Sequence, residues 1–197
     1  MPAEKRRRFG IATASVGGVL VCAAVAPGSE APATAPTLTL TAREEPGTRL
    51  VVTGTVVERG GRPVAGAELH VYQTDSTGAY TRERAMDEEH ARLSGRVHTD
   101  AGGRFVLRTI RPGGYPKALR LGDRERKIPA HIHLDVSAAG YVSRRLQAVF
   151  ADDPLLSDPY WQNWVKTQGH PVLSARAAGP SPADLVAILE IVLEPAP

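Results

Sequence analysis

Gly95-Arg96-Val97-His98-Thr99-Asp100-Ala101-Gly102-Gly103-Arg104-Phe105-Val106-Leu107-Arg108-Thr109-Ile110 is the stretch on which the fold class turns. Two short β-rich runs, Gly95–Thr99 and Arg104–Ile110, flank a Gly-Gly turn, which is the pattern of a β-hairpin. The same rhythm extends outward in both directions. Leu38–Thr41, Leu50–Val57 and Ala67–Gln73 precede it as strand candidates, with Arg59-Gly60-Gly61-Arg62-Pro63 as an intervening turn. Ala130–Val136 and Arg144–Phe150 follow, joined through Ser137-Ala138-Ala139-Gly140, and Leu185–Leu193 closes the series. One helix interrupts it: Asp158 can cap it, Pro159 suits its first position and Gly169 lies just past its end. Short strands separated by Gly/Pro turns predict an all-β, antiparallel sandwich with a single short helix. Asp75–Leu93 and Arg111–Pro129 are long for connections and are where function is expected.

Composition narrows the classes further. The chain has 197 residues, 42% hydrophobic, with 19 Gly, 16 Pro and one Cys, and its mean hydropathy is -0.19. Those values suit one folded domain and exclude a polytopic membrane protein, a disulfide framework and any multi-cysteine metal site. Lys5, Arg6, Arg7 and Arg8 precede a charge-free, Gly/Ala-rich run from Gly10 to Ala26. This reads as a secretory signal over 1–26, and Arg6-Arg7-Arg8-Phe9 also fits the twin-arginine pattern. An uncleaved membrane anchor and a lipoprotein at Cys22 stand as alternatives; cleavage would leave no membrane attachment. Residues 27–37 read as a linker and 38–197 as the domain. Removing 1–26 takes four of the 24 basic and one of the 21 acidic residues, so the formal +3 belongs to the export segment. Nothing resembles a nucleotide loop, a nucleophilic triad or a nucleic-acid motif.

His131-Ile132-His133 lies inside a strand candidate. Side chains alternate with period two, so both imidazoles project from one face and can reach one ion. A His-x-His pair alone is a weak signal, more often two ordinary strand histidines than a metal pair, and a zinc or copper site at the pair is an alternative. Tyr80, after Gln73-Thr74-Asp75-Ser76-Thr77-Gly78-Ala79, and Tyr115, within Thr109-Ile110-Arg111-Pro112-Gly113-Gly114-Tyr115-Pro116, each sit just past a strand. His70, His90, His98 and His170 match no part of this pattern, and Trp161 and Trp164 read as helix packing.

The order Asp-x-x-Gly-x-Tyr, Thr-Asp-x-x-Gly-x-Phe, Thr-Ile-x-Pro-Gly-x-Tyr and His-Ile-His resembles the intradiol ring-cleavage dioxygenases, the catechol and protocatechuate enzymes. The likeness covers roughly Leu50 to Pro154 and the closing strand near Ile191. It is similar to the compact, single-domain members, since no helical dimerisation region is evident; oligomerisation stays open. The resemblance implies a non-haem Fe(III) held by Tyr80, Tyr115, His131 and His133, with solvent in the fifth position. Phenolates are hard anionic donors that favour Fe(III), whereas imidazole suits several metals. It further implies a catechol and O2 as substrates, Tyr115 taking up a substrate proton, Gln147 near the substrate and a muconate-type diacid as product. The family commonly has Arg three residues before the first histidine; Ile128 stands there, and Arg126 or Lys127, reaching in from the loop, is the expected stand-in. The competing function is a non-catalytic secreted sandwich that keeps the family shape as a binding module.

Overall fold

Alternation along the strands builds two facing sheets. The computed structural model describes residues 34–83, 85–115, 118–121, 124–178 and 184–197. The expected signal and the linker before residue 34 lie outside the described residues. The strands are β1 (Thr37–Thr39), β2 (Arg49–Glu58), β3 (Glu68–Gln73), β4 (Leu93–His98), β5 (Arg104–Ile110), β6 (Leu119–Leu121), β7 (Arg124–Arg126), β8 (His131–Ser137), β9 (Arg144–Phe150), β10 (Val172–Leu173), β11 (Arg176–Ala177) and β12 (Asp184–Leu193). The helix α1 spans Pro159–Gln168 and begins and ends as expected. The Asp158 carboxylate accepts from the Tyr160 N–H, and Gly169 closes it at φ 64°.

One sheet runs β1-β5-β2-β12-β11 and the other β10-β9-β8-β3-β4, with β6 and β7 forming a separate ribbon. Between the two sheets, Leu50, Val52, Val56, Phe105, Leu107, Leu189 and Ile191 meet Leu69, Val71, Ile132, Leu134, Leu146 and Phe150. Gln73 is buried with them and fully bonded: it donates to the Thr74 and Ile110 carbonyls and accepts from the Thr109 hydroxyl. A buried amide without those partners would be strongly unfavourable.

Two details differ from the sequence expectation. β4 and β5 do not pair as a hairpin: β4 pairs with β3, and β5 with β2 and β1 in the opposite sheet. The Asp100–Gly103 reversal does form, with the Gly103 N–H donating to the Asp100 carbonyl at 2.9 Å. It carries the chain across the core because Phe105 must lie over Gly54, where an added Cβ would stand 2.1 Å from the ring. Turn chemistry sets a local reversal; burial chooses the pairing partner. Second, the sandwich is mixed in strand direction. β2–β5, β3–β4, β3–β8, β6–β7, β8–β9 and β11–β12 are antiparallel, whereas β1–β5, β9–β10 and β2–β12 are parallel. The β2–β12 ladder runs unbroken from Asp184 beside Arg49 to Leu193 beside Glu58.

On the other side of the β3/β8/β9 sheet, Tyr72, His133 and Gln147 stand in one row across three strands. Such a row would normally meet solvent. Here His131 and His133 are only 4% and 3% exposed, because Tyr80 and Tyr115, from the connections after β3 and β5, pack against them. Among the described residues no helix is long and apolar enough to cross a membrane.

Candidate metal centre

Each of four side chains is delivered by a local device. Tyr80 follows a tight turn in which Asp75 Oδ1 accepts from the Thr77 N–H and hydroxyl and from the Ala79 N–H. Such an Asx-type turn is a short-range property of Asp followed by Thr and Gly. Arg92 fastens that turn, donating to Asp75 at 3.0 Å and to both oxygens of Glu45. The Tyr115 segment leaves β5 and is pinned to the same turn: the Gly113 N–H donates to the Asp75 carbonyl, and the Thr74 hydroxyl to the Gly113 carbonyl. His131 and His133 come from β8, whose start is held by the Ala130 N–H donating to Asp153 at 2.8 Å.

The four polar atoms converge. Tyr80 Oη lies 2.6 Å from Tyr115 Oη and 2.8 Å from His133 Nε2. His131 Nε2 lies 2.9 Å from His133 Nε2 and 3.4 Å from Tyr115 Oη. His131 Nδ1–H donates to the Pro129 carbonyl at 2.7 Å. A carbonyl can only accept, so this bond puts the proton on Nδ1 and leaves Nε2 with its lone pair facing the cluster. His133 Nδ1 is buried with no hydrogen-bond partner among the described residues, while its Nε2 faces the other three donors. Tyr72 stacks on His133 with centroids 4.3 Å apart and planes 8° from parallel, fixing the ring orientation.

Electrostatics keeps the cluster neutral in the absence of a cation. Burial pushes the Tyr80 phenol far above its usual value, and the neighbouring Tyr115 adds to this. Burial lifts Tyr115 to about 12, with the Tyr80 hydrogen bond pulling the other way. Burial likewise lowers His131, and it lowers His133 to about 2 with His131 adding to the effect. Two neutral imidazoles and two protonatable phenols are a donor set that a hard trivalent cation fits. It gains two anionic oxygens when the phenols ionise. A metal with bonds of about 2.0–2.2 Å sets neighbouring donors roughly 2.8–3.4 Å apart, close to the separations seen here.

The other expected residues fare differently. Gln147 is half-buried opposite His133, and its backbone N–H donates to His170 Nδ1 at 3.1 Å. Arg126 is occupied elsewhere: it donates to Asp158 at 2.6 Å and lies 4.0 Å over the Tyr160 ring. Ile128 lies beside the Tyr115 segment, its carbonyl 3.5 Å from where a Gly114 Cβ would be. Sequence reasoning missed Tyr72, Glu88, Asp153 and His170. Tyr72 had a usable signal, since it shares strand parity with a row that meets the histidine strand. Glu88 had none: it reaches the cluster through a 3₁₀ turn, Glu88–His90, inside a loop. Trp161 is buried as expected, and Trp164 packs 4.2 Å from His170.

This geometry stands on a chain whose residues 25–195 match a family model described as Dioxygenase. The chain belongs to the intradiol dioxygenases. It is 38% identical over 125 residues to the protocatechuate 3,4-dioxygenase beta chain of Burkholderia cepacia, covering 59% of this chain and 51% of that one. To catechol 1,2-dioxygenase of Candida albicans it is 33% identical over 111 residues, 52% of this chain and 37% of the relative. The chain thus spans about half or less of those relatives. Among solved structures, the dioxygenase domain of a dioxygenase–carbohydrate-binding protein fusion from Streptomyces sp. SirexAA-E superposes with a TM-score of 0.61 at 28% identity, covering 82% of this chain and 89% of that one.

Proposed function

We propose that this intradiol dioxygenase family member cleaves a catechol-type ring between its two hydroxylated carbons, using Fe(III) held by Tyr80, Tyr115, His131 and His133. The observation that carries the reading is the convergence of two phenol oxygens and two imidazole Nε2 atoms with separations of 2.6–3.4 Å. Ferric iron, when bound, supplies Lewis acidity to a catecholate and a template for O2. The protein's own residues divide the remaining work. Tyr80, His131 and His133 are nearly fully buried and keep their places, with Pro129 and Tyr72 orienting the two rings. Tyr115 is less enclosed and sits on a glycine-rich segment, so it is the donor that gives way and takes a substrate proton at Oη. Gln147, in the row of His133, faces the substrate from β9. The overall change adds both atoms of O2 to the catechol and yields a muconate-type diacid. Residues 1–26 serve as an export signal, so the mature domain works outside the cytoplasm on a small aromatic molecule, with no nucleic-acid partner.

Purified protein loaded with iron is expected to be red-brown from phenolate-to-Fe(III) charge transfer. Tyr80→Phe and Tyr115→Phe each shift or bleach the band, and oxygen uptake accompanies addition of a catechol. A colourless protein that retains no iron after supplementation would overturn the reading. The occupation of Arg126 by Asp158 favours a second reading, a binding module of family shape. Coloured protein that consumes no O2 with any of a panel of catechols would select it.

A further inference from the structure

The geometry points to Glu88 as a specificity-determining residue at the mouth of the centre, one that favours catechols carrying a cationic ring substituent over those carrying a carboxylate. The inference rests on the function proposed above and concerns which catechols that same site accepts.

Glu88 opens the 3₁₀ turn Glu88–His90, which Asp87 caps through a hydrogen bond from the His90 N–H. Its carboxylate is directed at the donor cluster. Oε2 lies 4.0 Å from His133 Nε2, and the Tyr72 hydroxyl donates to Oε1 at 3.5 Å. The Glu88 side chain is 49% exposed while His133 is 3% exposed, so the carboxylate marks the side on which the buried donors meet solvent. The same charge helps to hold protons on Tyr72, Tyr80 and Tyr115, which places it within electrostatic reach of the whole cluster.

Among the described residues, two nearby arginines are engaged with other carboxylates. Arg145 feels Glu88, but its guanidinium is committed to Asp135 at 3.0 Å. Arg126 is committed to Asp158 at 2.6 Å and to the Tyr160 ring. At the position three before His131, Ile128 offers an apolar side chain where a guanidinium would have welcomed an anion. A half-solvated carboxylate above a water-poor site acts on an incoming charge a few ångströms away through an intermediate dielectric. It attracts an ammonium and repels a carboxylate, so its contribution counts twice in the ratio of the two. Discrimination achieved by repelling the wrong ligand is a common route to specificity.

The test uses the iron-loaded protein with three probes: catechol, 3,4-dihydroxybenzoate and 4-(2-aminoethyl)catechol. Binding is followed anaerobically through the visible charge-transfer band, and turnover by oxygen uptake. The aminoethyl probe is expected to bind more tightly than the benzoate. Glu88→Gln should lower the ratio of their affinities by about tenfold or more, and Glu88→Asp should keep most of it. In the unaltered protein the ratio should also shrink as ionic strength rises, which a purely steric role for Glu88 would not produce. Binding of all three probes with a ratio indifferent to Glu88→Gln, or to salt if that variant does not fold, overturns this inference alone. A preference for the benzoate in the unaltered protein does the same. Failure of every probe, catechol included, to perturb the band overturns the proposed function together with it.

Discussion

Replacing Gly113 by alanine tests whether the two tyrosine-bearing loops are held as one unit. A Cβ at Gly113 would stand 2.5 Å from the Ser76 carbonyl oxygen, 2.7 Å from the Gly78 nitrogen and 2.9 Å from the Ser76 carbonyl carbon. All three are backbone atoms of the turn that delivers Tyr80, so no side chain can swing aside. Moving from 2.5 Å to ordinary contact at 3.4 Å requires the loops to part by about 0.9 Å. That strains the bonds from the Gly113 N–H to Asp75 and from the Thr74 hydroxyl to Gly113. Overpacking of this kind costs about 1–3 kcal/mol. For a domain of this size, about 2 kcal/mol corresponds to a fall in Tm of roughly 4–8 °C. The displacement also separates Tyr115 Oη from Tyr80 Oη, and disturbing the support of a metal ligand typically weakens metal binding by about 10–100-fold. Gly114→Ala is the matched control. Among the described residues its Cβ meets only the Ile128 carbonyl at 3.5 Å and the Ala130 nitrogen at 4.0 Å, so it should stay within about 0.5 kcal/mol of the parent. Scanning calorimetry and iron titration against a competing chelator read both quantities. Gly113→Ala with unchanged Tm and iron affinity, or equal damage from Gly114→Ala, would refute the reasoning.

Three more expectations follow from the same site. Asp153→Ala leaves the buried Ala130 N–H without its acceptor and frees the Leu155 N–H, so it should cost about 1–3 kcal/mol and weaken iron binding by loosening the start of β8; denaturant unfolding with and without iron checks both parts. In the metal-free protein, burial holds His133 down to about 2 and His170 to about 4, against 6.5 for the free group. The unfolded chain therefore binds protons that the folded one refuses, and stability should be complete above pH 6.5 and fall as the pH drops toward 4. His170→Gln should flatten that fall, and a flat profile in the parent would contradict it. Because Tyr115 is held up to about 12 and Tyr80 higher still, loading Fe(III) must release phenol protons. Apparent affinity should rise with pH, and Tyr115→Phe should reduce the number of protons released, measured calorimetrically in buffers of different ionisation heat, by about one.

The strands were legible wherever period two ran for five residues or more: β2, β3, β5, β8, β9 and β12 all fall within a residue or two of their expected bounds. β6, β7, β10 and β11 are two or three residues long, too short for any alternation; β6 and β7 fall in Arg111–Pro129, which read as a loop, and β10 and β11 carried no expectation. The helix was readable because its caps are local chemistry at Asp158 and Gly169. The partner of β5 was not, since the Asp100–Gly103 turn specifies a reversal and says nothing about which sheet receives the next strand.

For the proposed centre, the family resemblance carried by the sequence named Tyr80, Tyr115, His131 and His133, and the sequence alone determined that His131 and His133 share a face, because strand geometry is a property of adjacent residues. It placed Tyr80 and Tyr115 just after strands for the same reason. Tertiary structure decided everything that depends on residues distant in the chain. It brought two loops onto one strand so that four donors meet, committed Arg126 to Asp158, stacked Tyr72 on His133 and set the Glu88 carboxylate at the mouth. Local chemistry is written in neighbouring residues; charge compensation and burial are settled only when segments from different parts of the chain pack together.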